Sequence, residues 1–143
     1  MYKININPSA KIILIKFQGN IYYADMLKLL HEILSSENYN PNYNILLDYR
    51  NASSIWFRLD IVDFVREFKK LVSFTGKKKY AYLISTTNQK YSIPIFKSLI
   101  KMSNLNVKYF NNYDESLDWL GIEVTDRSWI NEFVDFNTLN NSL

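Results

Sequence analysis

Asp48 and Arg50 stand two residues apart at the end of the apolar run "ILL". A carboxylate where a buried strand ends is where α/β folds often place functional acids. With Tyr49 or Tyr91 as partner it would have the makings of acid–base chemistry. The same spacing suits a plainer role, a carboxylate that ion-pairs with Arg50 and fastens a neighbouring loop, and this reading needs fewer coincidences. "HEILS" at His31–Ser35 begins like a zinc-protease helix, but Ser35 occupies the place of the second histidine. His31 is therefore expected on a helix surface beside Glu32. Ser53 and Ser54 offer hydroxyls to a phosphorylating enzyme, although serines are common in loops for reasons of turn geometry. Lys77–Lys79 form the one basic run, expected as a solvated stretch that protects the following apolar strand from edge pairing.

Composition removes whole classes of chemistry. The chain has 143 residues, no cysteine and one histidine. Disulfides, zinc–thiolate centres, thiol nucleophiles and two-histidine metal sites are thereby excluded within one chain. Net charge is +3, from 17 basic and 14 acidic residues, with no alternation of basic and aromatic residues. Nucleic acid is not an expected partner. The only candidate phosphate cradle, "FQGNIYYAD", carries Gly19 alone, far from GxGxxG or GxxxxGK[ST]. No cofactor, metal site or catalytic constellation is expected, and the protein reads as a non-enzyme. No apolar run approaches 18 residues, so no transmembrane segment is expected. The start "MYKININPSAK" lacks the basic and apolar regions of a signal peptide, and the expected location is the cytoplasm.

The elements that must position these residues are legible from their periods. "YKININ" alternates Tyr2, Ile4 and Ile6 with polar residues, as a half-buried strand does. "NPSAK" turns into "KIILIKFQG", a hairpin partner apolar on both faces as far as Lys16. "YYADMLKLLHEILSSE" sets Met26, Leu30 and Ile33 on one helical stripe. "ILLDY" reads as a central strand. "RLDIVDFVREFKKLVSF" places Ile61, Phe64, Val65, Phe68, Leu71 and Val72 at helical spacing, and Gly76 closes it. Then come strand "KYAYLIS", helix "YSIPIFKSLIKMS" with Pro94 in its first turn, strand "VKYF" and helix "NNYDESLDWLG". In that last helix Asn112 is the expected N-cap, Glu115 its capping-box partner and Gly121 the C-terminal stop. The order β-β-α-β-α-β-α-β-α predicts an α/β domain with about five strands in a mixed sheet and four helices.

With that order in place, the chain resembles the STAS domains, which have the SpoIIAA-like fold, and among them the bacterial stand-alone STAS/SEC14-like proteins. The resemblance is carried by "ILLDYRNA" (45–52), "DIVDFVREF" (60–68), "KKYAYLIS" (78–85) and above all "VKYFNNYDESLDWLG" (107–121). It spans residues 1–121 and implies a regulatory module that binds a partner protein rather than an enzyme. In the anti-sigma-factor antagonists of this family a serine near the start of the following helix is phosphorylated. Here "SIWFRLD" stands in that place, and Ser53 and Ser54 fall several residues too early, so no phosphoacceptor is carried over. The expected contact surface is the segment from Tyr49 to Phe57, with Tyr49, Arg50, Ser53, Ser54, Trp56 and Phe57 as its candidate residues. The resemblance to SEC14-type domains implies an alternative, the binding or sensing of a small apolar ligand.

Residues 122–143 read as a C-terminal extension. Thr125 or Asp126 can cap a short helix over about 126–136 whose Trp129, Ile130, Phe133 and Val134 share one face, with Phe136 close by; Trp129, Ile130 and Phe133 are the candidate docking residues. So short a helix needs a surface to dock on. Its own domain is the first expectation, and a second copy of the chain in a homodimer is the alternative.

Overall fold

A hairpin opens the fold because residues 8–11 leave just enough chain to reverse direction. The computed structural model of the chain describes residues 1–55, 62, 63, 66, 78–85 and 106–134. Strand β1, Tyr2–Asn7, pairs antiparallel with β2, Ile12–Tyr22, from Tyr2↔Phe17 to Asn7↔Ile12. Asn7 Oδ1 accepts the Ala10 N–H, and Lys11 takes the positive φ that the turn requires. Strands β3 (Asn44–Ile55), β4 (Lys79–Leu83) and β5 (Asn106–Phe110) then add in parallel. The sheet order is β1-β2-β3-β4-β5, a mixed sheet with one antiparallel edge, as the element order predicts.

Each face of this sheet has its own core. Ile13, Ile15 and Phe17 of β2 join Leu47, Tyr49 and Tyr80 under Met26, Leu29 and Ile33 of helix α1, Tyr23–Ser35. Leu29, not singled out by the helical stripe, is buried, while Leu30 is only partly so. The helix begins where Asp25 Oδ2 accepts the Tyr22 N–H at 2.9 Å. On the other face Ile12, Leu14, Leu46, Ala81, Leu83 and Phe110 meet Leu117 and Leu120 of helix α2, Tyr113–Leu120. Strand β2 is thus apolar on both sides because both sides are covered.

Helix α2 has the ends its sequence predicts. Asn112 Oδ1 accepts the Glu115 N–H at 2.9 Å, and Gly121 leaves the helix at φ +75°, a left-handed turn that costs a residue with a Cβ. The Ile122 N–H returns to the Leu117 carbonyl at 3.0 Å, which swings the chain back over the sheet.

The chain beyond Gly121 belongs to the same core. A 3-10 turn at Val124–Asp126 leads into helix α3, Ser128–Val134. Ile122, Ile130 and Phe133 are buried in the cluster of Leu14, Leu46 and Leu83, with Trp129 packed against it. The Lys3 ammonium lies 4.9 Å from the Phe133 ring centroid, so α3 reaches as far as β1. The extension, expected as a segment outside 1–121, docks on its own sheet through the candidate docking residues Trp129, Ile130 and Phe133. Arg127 fastens it, donating to Asp118 Oδ1 and the Ile122 carbonyl at 2.7 Å each. A cation there also faces the C-terminal end of α2, where the helix dipole favours it.

Two expected strand ends need correction. The turn expected around Gly19 does not exist: β2 continues through it to Tyr22, with Gly19 at φ +74° inside the strand. Strand β3 likewise runs on past Tyr49 to Ile55, so Ser53 and Ser54 lie in a strand and not in a loop. Each half supplies the other's hydrogen bonds, from Gln18↔Asn51 to Tyr22↔Ile55. Of the helix expected over 58–74, Val62, Asp63 and Arg66 are helical, and Arg66 contacts Asp63 at 3.5 Å. Its apolar stripe, the helix with Pro94 and Phe136 lie outside the described residues.

Candidate functional site

The regular pairing of β2 with β3 breaks at one place. Lys16 faces Asp48, and the next paired residues are Gln18 and Asn51, so Tyr49 and Arg50 together stand opposite Phe17. Such a bulge re-aims side chains. Tyr49 turns to the α1 face, where its ring stacks on Phe17 at 4.2 Å. Arg50 turns back over Asp48.

The result is a closed polar cluster at the C-terminal end of β3's pairing with β4. Asp48, 2% exposed, receives Arg50 Nε on Oδ1 and Arg50 Nη2 on Oδ2, both at 2.9 Å. This is the two-pronged guanidinium–carboxylate geometry, which carries direction as well as charge. The Arg50 N–H also donates to Oδ1 at 3.2 Å, and the Tyr113 hydroxyl donates to Oδ2 at 2.7 Å. The guanidinium lies 4.7 Å from the Tyr113 ring centroid, and the Ser85 hydroxyl donates to the Arg50 carbonyl. Burial alone would raise the Asp48 carboxyl, but the hydrogen bonds from Arg50 and Tyr113 outweigh it and hold the group below the usual carboxylate range. Burial and the adjacent carboxylate push the Tyr113 phenol far up.

The Asp48–Arg50 pair is the fastening the sequence predicts. The tyrosine of this cluster is Tyr113, however, and not Tyr49, which is buried on the opposite face. Tyr91 lies outside the described residues. Tyr113 went unrecognised because its spacing in α2 also fits the apolar face. Its hydroxyl meets Asp48 only because the order β3-β4-β5 brings the start of α2 to the end of β3.

The six candidate contact residues are placed unequally. Tyr49 is buried, and burial raises its phenol against the opposing hydrogen bond with Ser54. Ser54 is half-buried, Arg50 is 27% exposed at its side chain, and Ser53 is exposed. Trp56 and Phe57 lie outside the described residues. Beyond the last partners of β1 and β4, Gln18–Tyr22 and Asn51–Ile55 continue as a two-stranded parallel ribbon. Gln18, Gly19, Asn20, Tyr22, Asn51 and Ser53 are exposed along it, Tyr22 to 51%.

His31 is exposed on α1, as expected, and among the described residues no three histidines and carboxylates are placed to hold a metal. The basic run departs from expectation. Lys77 lies outside the described residues, Lys79 donates from Nζ to the Trp119 carbonyl at 2.9 Å, and Lys78 is buried. The strand's alternation turns Lys78 to the same side as Tyr80 and so into the core. Burial pushes its ammonium down to about 8. The folded chain then holds fewer protons than the unfolded one between that value and the ordinary lysine range. The sign is therefore a stability that rises with pH from about 8, the penalty being complete below it. The raised tyrosines act oppositely above about 10. Urea midpoints of wild type and Lys78→Met should accordingly converge between pH 7 and 10. Parallel profiles would contradict the shift.

Comparison with known proteins agrees with this architecture. Among solved structures the chain is similar to an uncharacterised protein of the DUF3478 family, with a SpoIIAA-like fold, from Shewanella loihica PV-4. The TM-score is 0.55 at 19% identity, over 83% of this chain and 93% of that one. No family model and no curated protein matches the chain. The likeness is one of fold: the protein has the SpoIIAA-like α/β fold that its resemblance to STAS domains implies. Among the described residues no helix is long and apolar enough to cross a membrane.

Proposed function

We propose that the chain is a non-enzymatic, cytoplasmic module that recognises a partner protein through the outer end of the β2–β3 ribbon. The contact comprises Arg50, Ser53 and Tyr22, continued in sequence by Trp56 and Phe57. The observation that carries this reading is the ribbon itself. Ten residues of two strands extend past β1 and β4 and expose mainly uncharged polar side chains with one tyrosine. Such a surface suits protein contact, where tyrosine supplies area at small entropic cost.

The Asp48 cluster supports the non-enzymatic part. A carboxyl held low and a phenol held high keep their protons fixed across the neutral range. General acid–base catalysis works best with groups that titrate near the working pH. Arg50, Asp48 and Tyr113 hold the root of the ribbon to α2 instead.

The test is affinity capture from the native host with wild type and two variants, Tyr22→Ala/Ser53→Arg and Trp56→Ala/Phe57→Ala. Exposed substitutions such as the first pair shift stability by no more than about 0.5 kcal/mol, so lost capture would report the surface and not the fold. Partners retained by both variants would refute the assignment.

A further inference from the structure

Strand β1 is an edge of the sheet, and its hydrogen bonds to β2 show which of its backbone groups face outward. The Gln18 N–H donates to the Met1 carbonyl at 2.9 Å, and the Met1 ammonium donates to the Gln18 carbonyl at 3.1 Å. Antiparallel strands alternate between pairs that exchange both hydrogen bonds and pairs that exchange none. Lys3, Asn5 and Asn7 therefore continue the exchange with Lys16, Leu14 and Ile12. Tyr2, Ile4 and Ile6 turn their N–H and C=O groups away from β2, where among the described residues no further strand pairs with them. Sheet edges are commonly guarded by bulges, by proline or by several charges. β1 keeps an unbroken register from Tyr2 to Asn7 and carries one charge, Lys3. Its Tyr2, Ile4 and Ile6 side chains are only half-buried against the core on the α1 face, so another strand would complete their burial. The opposite edge differs, since β5 exposes Asn106 and Lys108.

We propose that β1 pairs antiparallel with β1 of a second copy of the chain, about a two-fold axis at Ile4. The strand's own residues select this register. Only outward groups can bond, so Tyr2, Ile4 and Ile6 must face one another. A two-fold at Ile4 sets Ile4 against its own copy and Tyr2 against Ile6, which uses every outward group. A two-fold at Lys3 leaves Ile6 unpaired and sets two ammonium groups opposite each other, which is destabilising. A two-fold at Asn5 sets Tyr2 against Pro8, which has no N–H to give. In the chosen register Lys3 lies across from Asn5 on one face. On the other, the Tyr2, Ile4 and Ile6 side chains of both copies form one apolar row. A strand of another protein would meet the same backbone groups, but β1 matches itself on both faces. The pairing is closed, because it consumes the β1 edge of each copy and admits no third. It uses a different surface from the ribbon, so either reading can fail alone.

The experiment is sedimentation equilibrium of the full chain across a range of concentrations, with Ile4→Lys, Ile4→Glu and an equal mixture of the two. Wild type should reach twice the chain mass and go no higher. Either variant alone should dimerise about tenfold or more weakly, since each loses an apolar contact and opposes like charges at the axis. The mixture should recover a dimer tighter than either variant forms alone, because only a two-fold at Ile4 brings the lysine of one chain to the glutamate of the other. A variant that merely failed to fold would not be rescued in this way. A wild-type chain that stays monomeric at every concentration would overturn the pairing, even if another protein's strand were found on this edge. So would growth beyond the dimer, dimers unaffected by Ile4→Lys, or a mixture no tighter than its parts.

Discussion

A chain that stops at Gly121 is expected not to fold stably. The segment it loses supplies Ile122, Ile130 and Phe133 to the core on the α2 face, all three buried. Burying an aliphatic or aromatic side chain contributes about 1.5–3 kcal/mol, so the three together contribute about 5–9 kcal/mol. That is as large as the whole net stability of many domains, about 5–15 kcal/mol. Residual compactness of the unfolded chain lowers the figure without reversing the conclusion. The removal also strips the cover from Leu14, Leu46 and Leu83, an apolar surface that promotes association. Phe133→Ala in the full chain isolates the largest single contribution and should cost about 3–5 kcal/mol. Urea unfolding of that variant and sedimentation of the truncated chain check both results. Unchanged melting and mass after truncation would show the tail to be loose.

The second large effect lies at Asp48. Arg50→Ala removes the main neutralising group from a carboxylate that is 2% exposed, and breaking a buried pair this way costs about 3–5 kcal/mol. Replacing both partners, as in Asp48→Asn/Arg50→Met, should cost less, because no uncompensated charge remains. The pH dependence follows from the lowered Asp48 carboxyl. Its stabilisation is fully present above the unfolded value, about 3.9, and is lost as pH falls through the folded one. Wild type and Arg50→Ala should therefore differ most at neutral pH and approach each other in strong acid. Equal denaturation midpoints at pH 7 would mean that the ion pair contributes nothing. Because Arg50 also anchors the start of the ribbon, the variant should loosen amide protection at Asn51–Ile55 before the rest of the sheet.

These elements show how far the sequence was legible. Strand and helix periods gave the five strands, α1, α2 and the docking stripe of α3, since each depends on burial of one face and burial leaves a period. The caps of α2 were readable because Asn112 and Gly121 act on backbone groups a few residues away. The ribbon was not readable. Gln18–Tyr22 and Asn51–Ile55 are strands because they pair with each other, and neither has an alternation strong enough to declare it. Gly19 even looks like a turn. Lys78 misled for a related reason: charge argues for solvent, while its parity with Tyr80 puts it inside. The partnership of Tyr113 with Asp48 spans 65 residues and follows from strand order, which no local pattern encodes.

Partner recognition at the ribbon is tested most directly by amide hydrogen exchange. The protein captured from its host with its partner would be compared with the protein alone. Slower exchange is expected at Gln18–Tyr22, at Asn51–Ile55 and through Phe57, with the α2 and α3 face unchanged. Protection confined to α2 and α3, or to β1, with the ribbon exchanging as in the free protein, would contradict the assignment.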